Sequence, residues 1–430
     1  MINKNIIFLS FVFLSVSAIG LVCNQRTIKQ KESRKGSLTP MVKFLQEYIQ
    51  INTSQPKPDY EKALTFLKKQ AQACGFLYKQ VGLPSGNKVL VITYKGTDPS
   101  LSSIALNHHI DVVPATPEGW KVDPFSGAIV DDSMIGRGTQ DMKGIGATHY
   151  FALKELKDLG IKPKRTIHIF AVPEEEVGGY KGTKEFVETS YFKSLNVGFV
   201  VDEGHASGDA SVLDLKVTER KPMQIQVTVK GDLAHGSHLE CRNAIHDLVT
   251  FLYEILELHN KSKRTIGKKE PGELLSCNMT SLSAGIKKED GFIALNVVPN
   301  TAQATIDVRI PQTIKKKEIV ALLDKTIAQF PTMSYEILAQ ANEEPEPRDY
   351  HTPLYKALEK AIKTTGLKAQ PHFFEASSDL RFYQARGIDG VGLTPFAIVD
   401  NIHGINESVP LKELERGKEI MVQFLKDFAF

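Results

Sequence analysis

Cysteine and unbalanced charge are both scarce in this sequence of 430 residues. Its four cysteines are too few and too scattered to form the disulfide framework of a small secreted domain. Lys and Arg total 53 against 50 Asp and Glu, so the formal net charge of +3 gives no support for nucleic-acid binding. No GxGxxG sequence follows the first predicted strand, and a dinucleotide-binding fold is therefore unsupported.

The N-terminus departs from the ordinary globular composition of the rest of the chain. Lys4 precedes an apolar run over residues 6–22, which is typical of a secretory signal peptide or an uncleaved anchor. Cys23 follows directly and could carry a lipid, although Val22 stands where a small residue is expected. We therefore expect an exported protein, secreted or periplasmic, whose membrane contact is limited to this anchor or lipid.

A strand followed by three carboxylates lies at residues 166–179, TIHIFAVPEEEVGG. The β-branched and aromatic residues of its first half predict a strand that is buried on both faces. Ligands of open α/β sheets bind just beyond the carboxyl ends of such strands. Glu174, Glu175 and Glu176 repel one another there unless a cation or a proton compensates their charge. A solvated acidic loop is the alternative interpretation of the three glutamates alone.

Histidine or carboxylate side chains also close other segments of the α/β pattern. His109 ends a predicted strand and lies two residues before Asp111, which could orient its ring in the way that a carboxylate orients a metal-bound histidine. Asp141 precedes a predicted helix, Glu203 follows a short strand, and His403 lies in a loop after a strand. Imidazole and carboxylate ligands of this kind suit zinc, and one shared carboxylate can hold two ions.

Seven motifs resemble those of a known family, the di-zinc aminoacylase, carboxypeptidase and deacylase metallopeptidases. They are LNHHIDVVP, GRGTQDMKG, FAVPEEEVGG, VVDEG, AHGS, NVVPN and SSDLRF, in this order from about residue 40 to the C-terminus. The wording of the second, third and fourth motifs most resembles the aminoacylase branch. One departure is Glu174, because the family often has Asp at that position.

The resemblance implies a role for each matched position. It implies two zinc ions per subunit, one held by His109 and Glu203, the other by Glu176 and His403, and both by Asp141. It further implies that Glu175 is the general base and that Asp111 orients His109. The other implied site residues are His235, which reaches into the partner's site, the substrate-contacting Asn296 and Arg309, and Arg381 near a substrate carboxylate.

The same resemblance completes the expected fold. We expect an α/β catalytic domain with a mixed, mostly parallel sheet and helices on both faces, interrupted by an inserted α+β lid and dimerisation domain. The predicted boundaries are 1–22 for the signal or anchor, 23–37 for a linker, 38–219 and 339–430 for the catalytic domain, and 220–338 for the lid.

The implied function is hydrolysis of the amide bond of N-acyl amino acids by a homodimeric zinc enzyme. Two alternatives stay open from the sequence. One is a dipeptidase or carboxypeptidase with the same machinery, and the other is a catalytically silent binding protein on the same fold. The native metal could also be cobalt or manganese.

Overall fold

The computed structural model describes residues 38–286, 294–340, 349–397 and 401–430. The predicted signal and linker, residues 1–37, lie outside the described residues. In the described ranges, no helix is both long enough and apolar enough to cross a membrane.

Several helices of the described residues begin at a capping side chain. Side chains of Thr39, Asp59, Asn243 and Thr352 accept main-chain N–H groups of the first turns of four helices. The α-helices are α1 Pro40–Ile49, α2 Tyr60–Ala73, α3 Lys143–Asp158, α4 Thr183–Phe186, α5 Ser190–Ser194, α6 Ala244–Lys263, α7 Lys316–Ile327, α8 Pro353–Lys363, α9 Leu380–Gln384 and α10 Leu411–Ala429. Two short 3₁₀ helices are Glu175–Val177 and Pro271–Glu273.

The strands form one large sheet and three smaller ones. They are β1 Leu77–Gly82, β2 Lys88–Tyr94, β3 Ser103–His109, β4 Ala128–Val130, β5 Ser133–Ile135, β6 Ile167–Val172, β7 Val197–Asp202, β8 Val212–Glu219, β9 Lys221–Lys230, β10 Ala234–His235, β11 Ser276–Ala284, β12 Val297–Val298, β13 Thr301–Ile310, β14 Met333–Gln340, β15 Lys368–Phe374, β16 Asp389–Leu393 and β17 Ser408–Pro410.

The large sheet has eight strands in the order β1-β2-β6-β3-β7-β16-β8-β15. Its centre is parallel, since β3 pairs in parallel with β6 and β7, and β7 with β16. The carboxyl ends of β3, β6 and β7 therefore meet at one edge of the sheet, the usual ligand position in such folds. This mixed, mostly parallel sheet confirms the predicted fold class.

Apolar clusters cover both faces of the large sheet, and strand β6 contributes alternate side chains to each. In β6, Ile167, Ile169 and Ala171 pack into a cluster that includes residues of α1, α3, α8 and α10. Phe170 and Val172 of the same strand pack on the opposite side with residues of α5 and α9. The period of two along β6 is what a strand buried on both faces requires.

A separate apolar cluster lies between residues 223 and 337. It joins one face of the antiparallel sheet β11-β13-β9-β14 to helices α6 and α7. We call this part of the chain the inserted unit. Alternate residues of β9, from Met223 to Val229, are buried, as the sequence pattern predicts. The exact domain boundaries stay predictions.

Candidate metal centre

The five predicted metal ligands lie together as two groups that share one carboxylate. His109, Asp141 and Glu203 form the first group, and Asp141, Glu176 and His403 form the second. In each group, one ligand atom per residue lies within 4.8 Å of the others. The arrangement follows from the fold, because β3 ends at His109, β7 ends one residue before Glu203 and Glu176 follows β6.

The distances between ligand atoms match what a small four-coordinate ion requires. Nε2 of His109 is 2.9 Å from Oδ1 of Asp141 and 3.6 Å from Oε2 of Glu203. Nε2 of His403 is 3.0 Å from Oδ2 of Asp141 and 3.3 Å from Oε2 of Glu176. Tetrahedral zinc with bonds of about 2.1 Å holds its ligand atoms about 3.4 Å apart. The donor set and its spacing therefore fit two ions bridged by Asp141.

Crowding of carboxylates gives the site a strong demand for positive charge. Burial, together with the neighbouring charge of Asp141, raises the pKa of Glu203 to about 7. Burial and the charge of Glu203 also raise the pKa of Glu175 well above its ordinary value. Bound cations would compensate this repulsion and keep the carboxylates ionised.

Asp111 contacts His109 differently from the sequence prediction. Nδ1 of His109 lies 2.9 Å from the main-chain carbonyl oxygen of Asp111, whereas the Asp111 carboxylate is 3.7 Å away. A carbonyl acceptor requires the proton on Nδ1, which leaves Nε2 of His109 free to bind a metal. The Asp111 carboxylate instead accepts the main-chain N–H groups of Glu175 and Glu176, each at 3.2 Å. Asp111 thus holds the His109 ring through its main-chain carbonyl and the glutamate turn through its carboxylate.

The turn that carries the three glutamates has an unusual backbone. Glu174 has a φ of 73°, and Gly178 and Gly179 have φ values of 101° and 67°. Glycine adopts these angles without strain, and a side chain on Gly179 would also collide with Oδ1 of Asp379. The Glu174 side chain faces the Tyr60 hydroxyl at 3.4 Å. It belongs to neither ligand group.

Arg381 lies in the protein interior rather than at an open site. Its guanidinium donates to the main-chain carbonyls of Ser378 and Gly178, at 2.5 Å and 2.7 Å. Only 4% of Arg381 is exposed. Through the carbonyl of Gly178, Arg381 stabilises the end of the glutamate turn. Its buried position does not favour the predicted contact with a substrate carboxylate. That role of Arg381 stays a prediction.

The inserted unit brings two predicted site residues together but keeps them apart from the ligands. Nε2 of His235 lies 3.2 Å from the side-chain amide of Asn296, and Nδ1 lies 2.8 Å from Oγ of Ser237. His235 is exposed, and its side-chain contacts within the described ranges are with residues of the inserted unit. Arg309 forms an ion pair with Asp307 at 2.8 Å, near the end of β13.

An ion pair that the sequence analysis missed ties two ligand loops together. Nη1 of Arg137 donates to Oε2 of Glu407 at 2.6 Å, and both side chains are buried. Oε1 of Glu407 accepts main-chain N–H groups that include that of Asp141, at 3.3 Å. Nη2 of Arg137 donates to the carbonyl of His403 at 3.0 Å. Arg137 lies in the motif GRGTQDMKG, but no sequence pattern pairs it with a residue 270 positions later.

Comparison with known proteins agrees with this geometry. Residues 105–427 match the model of peptidase family M20/M25/M40. The chain belongs to this family. Aminoacylase-1 of Mus musculus is 33% identical over 410 residues, which are 94% of this chain and 98% of the relative. Aminoacylase-1 of Sus scrofa is 34% identical over 91% of this chain and 95% of its own length. Succinyl-diaminopimelate desuccinylase of Aliarcobacter butzleri is 27% identical over 78% of this chain and 86% of its own length.

Solved structures support the fold of this M20-family chain. An M20 metallo-carboxypeptidase from Sulfolobus solfataricus superposes with a TM-score of 0.71 at 20% identity, over 90% of this chain and 99% of its own. The YXEP protein of Bacillus subtilis, described as a dinuclear metal-binding peptidase, has a TM-score of 0.62 at 14% identity. The superposition covers 89% of this chain and 97% of the YXEP chain. The family predicted from the motifs is thereby confirmed, and the protein is a hydrolase that acts on amide bonds.

Proposed function

We propose that this M20-family hydrolase uses two zinc ions to cleave the amide bond of N-acyl amino acids. The observation that carries the proposal is the pair of ligand groups that share Asp141. The similarity to aminoacylase-1 of Mus musculus and Sus scrofa extends over more than nine-tenths of the chain. It supports N-acyl amino acids as the substrate class.

The donor set suits zinc at both positions. Each group combines one imidazole with carboxylates, which are ligands that zinc shares with cobalt and manganese. His109 and Glu203 would hold one ion, Glu176 and His403 the other, and Asp141 both. When bound, two zinc ions supply Lewis acidity that brings the pKa of water near neutrality and stabilises a developing oxyanion.

Glu175 has the position of a general base in this reaction. It is half-buried, it is not part of either ligand group, and it precedes the ligand Glu176 in the chain. The Asp111 carboxylate holds the main-chain N–H of Glu175 and so fixes its direction. Glu175 would take a proton from the attacking water and pass it to the leaving amine.

His235 is proposed to donate a hydrogen bond to the oxyanion. Nδ1 of His235 lies within 3.3 Å of the hydroxyl and the main-chain N–H of Ser237, and its Nε2 lies 3.2 Å from the side-chain amide of Asn296. A donor aimed at the oxyanion is worth about 10²–10³-fold in turnover in other hydrolases. Asn296 beside it, and Arg309 as a carboxylate partner, complete the proposed substrate contacts.

The His235 side chain would donate its hydrogen bond in the active site of a second copy of the chain. Val249, Tyr253 and Leu256 form an exposed apolar stripe along α6, and Leu282 of the edge strand β11 is exposed as well. An apolar face of this kind indicates a protein contact, and a copy of the same face can cover it across a two-fold axis. We therefore propose a homodimer with composite sites, in which His235 of one subunit faces the metal centre of the other.

Export is the remaining part of the proposal. It rests on Lys4 and the apolar run of residues 6–22, with Cys23 as the alternative site of a lipid.

A substrate screen tests the proposed function directly. Zinc-loaded protein should hydrolyse N-acetyl and longer N-acyl amino acids, and removal of zinc with a chelator should abolish this activity until zinc is restored. Cleavage of dipeptides with no cleavage of N-acyl amino acids would assign the enzyme to the peptidases of the family instead. Equal turnover of the chelated protein would remove zinc from the proposal.

A further inference from the structure

The segment that precedes α2 lies against the chain that follows β3. The N–H of Gln55 donates to the carbonyl of Val112 at 3.0 Å and holds the two segments side by side. Asp59 then caps α2, which places Tyr60 in the first turn of that helix. Gln55 and Tyr60 both precede the first of the seven sequence motifs, so the family resemblance assigns neither of them a role.

The side-chain amide of Gln55 joins two acceptors. Nε2 of Gln55 lies 3.0 Å from Oδ2 of Asp111 and 3.0 Å from the hydroxyl of Tyr60. An ionised carboxylate only accepts hydrogen bonds, so the nitrogen of the amide faces Asp111, and its two protons serve one acceptor each. This contact is shorter than the two contacts, 3.2 Å each, that the buried Asp111 carboxylate makes with main-chain N–H groups. Gln55 thus orients both acceptors.

Together the two acceptors hold three successive main-chain N–H groups of the glutamate turn. Asp111 accepts those of Glu175 and Glu176, and the Tyr60 hydroxyl accepts that of Glu174 at 3.2 Å. Glu174 has a φ of 73°, a conformation that a residue with a side chain keeps only where its surroundings impose it. The Tyr60 hydroxyl also donates to Oε1 of Glu174 at 3.4 Å, an acceptor that glutamine would retain. These contacts fix the backbone from which the Glu175 side chain extends.

We propose that Gln55 and Tyr60 are positioning residues for the general base Glu175. Their side chains contact Asp111 and Glu174, so they act on the base through the backbone that carries it. Positioning of this kind affects turnover, because a displacement of about 1 Å at a reacting group can cost 10²-fold in rate. The inference rests on the proposed function, in which Glu175 is the base.

Two variants remove the contacts and keep the approximate size of the side chains. Tyr60→Phe deletes the hydroxyl, and Gln55→Met deletes the amide. Each should lower kcat for an N-acyl amino acid about tenfold, leave KM within about twofold of the wild-type value and retain two zinc ions per chain.

Tyr94→Phe is the matched control. The half-buried Tyr94 donates its hydroxyl proton to the carbonyl of Ile161 at 2.8 Å. Tyr94 pairs with Ile167, the first residue of β6, at the opposite end of that strand from the glutamate turn. The control should lower the melting temperature and leave kcat unchanged.

Hydrogen exchange of the metal-free protein gives a readout that needs no reaction. Exchange resolved to single residues by mass spectrometry should be about two- to tenfold faster for the N–H of Glu174 in Tyr60→Phe, because that N–H loses its acceptor. In Gln55→Met the N–H groups of Glu175 and Glu176 should exchange faster by a similar factor, because Asp111 loses its support. Tyr94→Phe should leave all three unaltered.

A double variant tests whether the two residues form one network. Gln55→Met/Tyr60→Phe should lose less kcat than the product of the single losses, whereas the effects of Gln55→Met and Tyr94→Phe should multiply. Wild-type kcat in both single variants, or unaltered exchange in the glutamate turn, would overturn the proposal. So would a fall in kcat that comes with loss of zinc, because the network would then serve the ligand Glu176. A wild-type protein that hydrolyses no N-acyl amino acid would refute the proposed function itself.

Discussion

Replacing Glu407 with glutamine should weaken metal binding, although Glu407 is not a predicted ligand. Its carboxylate is fully buried and accepts the N–H groups of Gly138, Gln140 and Asp141, at 3.1 Å, 2.9 Å and 3.3 Å. Its other oxygen pairs with Arg137. The change keeps the size of the side chain, removes its charge and turns one acceptor into a donor that faces the guanidinium.

The expected magnitudes follow from these contacts. Breaking a buried ion pair from one side costs about 3–5 kcal/mol of unfolding free energy. The lower end applies here, because Arg137 keeps the carbonyls of His403 and Gly404 as acceptors. The loops that carry Asp141 and His403 lose their shared support, and loss of such an outer partner typically weakens metal affinity 10- to 100-fold.

Two measurements and a double variant check this prediction. Urea unfolding of the zinc-free protein gives the stability, and competition with a chromogenic chelator gives the zinc affinity. The double change Arg137→Met/Glu407→Gln removes both charges. Its loss of unfolding free energy should therefore be about 1–3 kcal/mol smaller than the sum of the losses in the two single variants. Asp214→Asn serves as the control, because it changes another buried carboxylate, one that accepts a hydrogen bond from Gln370 in the β8–β15 pair. It should lower the free energy of unfolding and leave the zinc affinity unchanged. A Glu407→Gln protein with wild-type zinc affinity would refute the reasoning.

Three other predictions concern the ions, the N-terminus and the assembly. His403→Ala should retain about one zinc per chain and Asp141→Ala fewer, as measured by elemental analysis, because the first change removes a terminal ligand and the second the shared one. Two zinc ions in His403→Ala would exclude His403 as a ligand. Intact-mass analysis of protein from its native compartment should show that roughly the first 20 residues are absent, whereas a mass that includes the start of the chain would indicate an uncleaved anchor. Mixing inactive Glu175→Gln and His235→Ala subunits should restore about a quarter of wild-type activity, since about half of the dimers are hybrids with one intact site. No recovery after confirmed subunit exchange would mean that His235 does not act across subunits.

The position of the metal centre could be predicted from the sequence because it depends on strand ends. His109 and Glu176 each come at or just after a strand rich in apolar residues, and parallel strands bring such ends to one edge. Local pattern and chain direction suffice for that step. The motifs then supply the register that separates Glu175 from Glu176.

Strand β8 was not predicted, because charged residues occupy some of the positions at which a buried strand usually has apolar side chains. Its buried residues include Asp214, Lys216 and Glu219, which carry charges rather than apolar side chains. They are tolerated because tertiary partners compensate them, as when Nζ of Lys216 donates to Oγ of Ser378 at 2.5 Å. The partners Ser378 of Lys216 and Gln370 of Asp214 lie more than 100 residues away in the sequence, so local sequence patterns do not reveal them.

The neighbouring strand β15 was missed for a related reason. Pro371 interrupts its sequence and would argue against a central strand. The strand lies at the edge of the sheet, where a missing main-chain donor can be accommodated. The contacts of Asp111 and Arg381 also depend on distant main-chain groups, Glu175 and Gly178 among them, which motif matching does not show.

Paired measurements on Glu175→Gln and Glu174→Gln test the central claim most directly. Glu175→Gln should retain two zinc ions per chain and a wild-type melting temperature, yet lose about 10²–10⁴-fold or more in turnover of an N-acyl amino acid, because it removes only the proton acceptor. Glu174→Gln, whose side chain faces Tyr60, should keep turnover near the wild-type rate. Near wild-type turnover in Glu175→Gln together with an inactive Glu174→Gln would contradict the assignment of the base and of the ligand register around it.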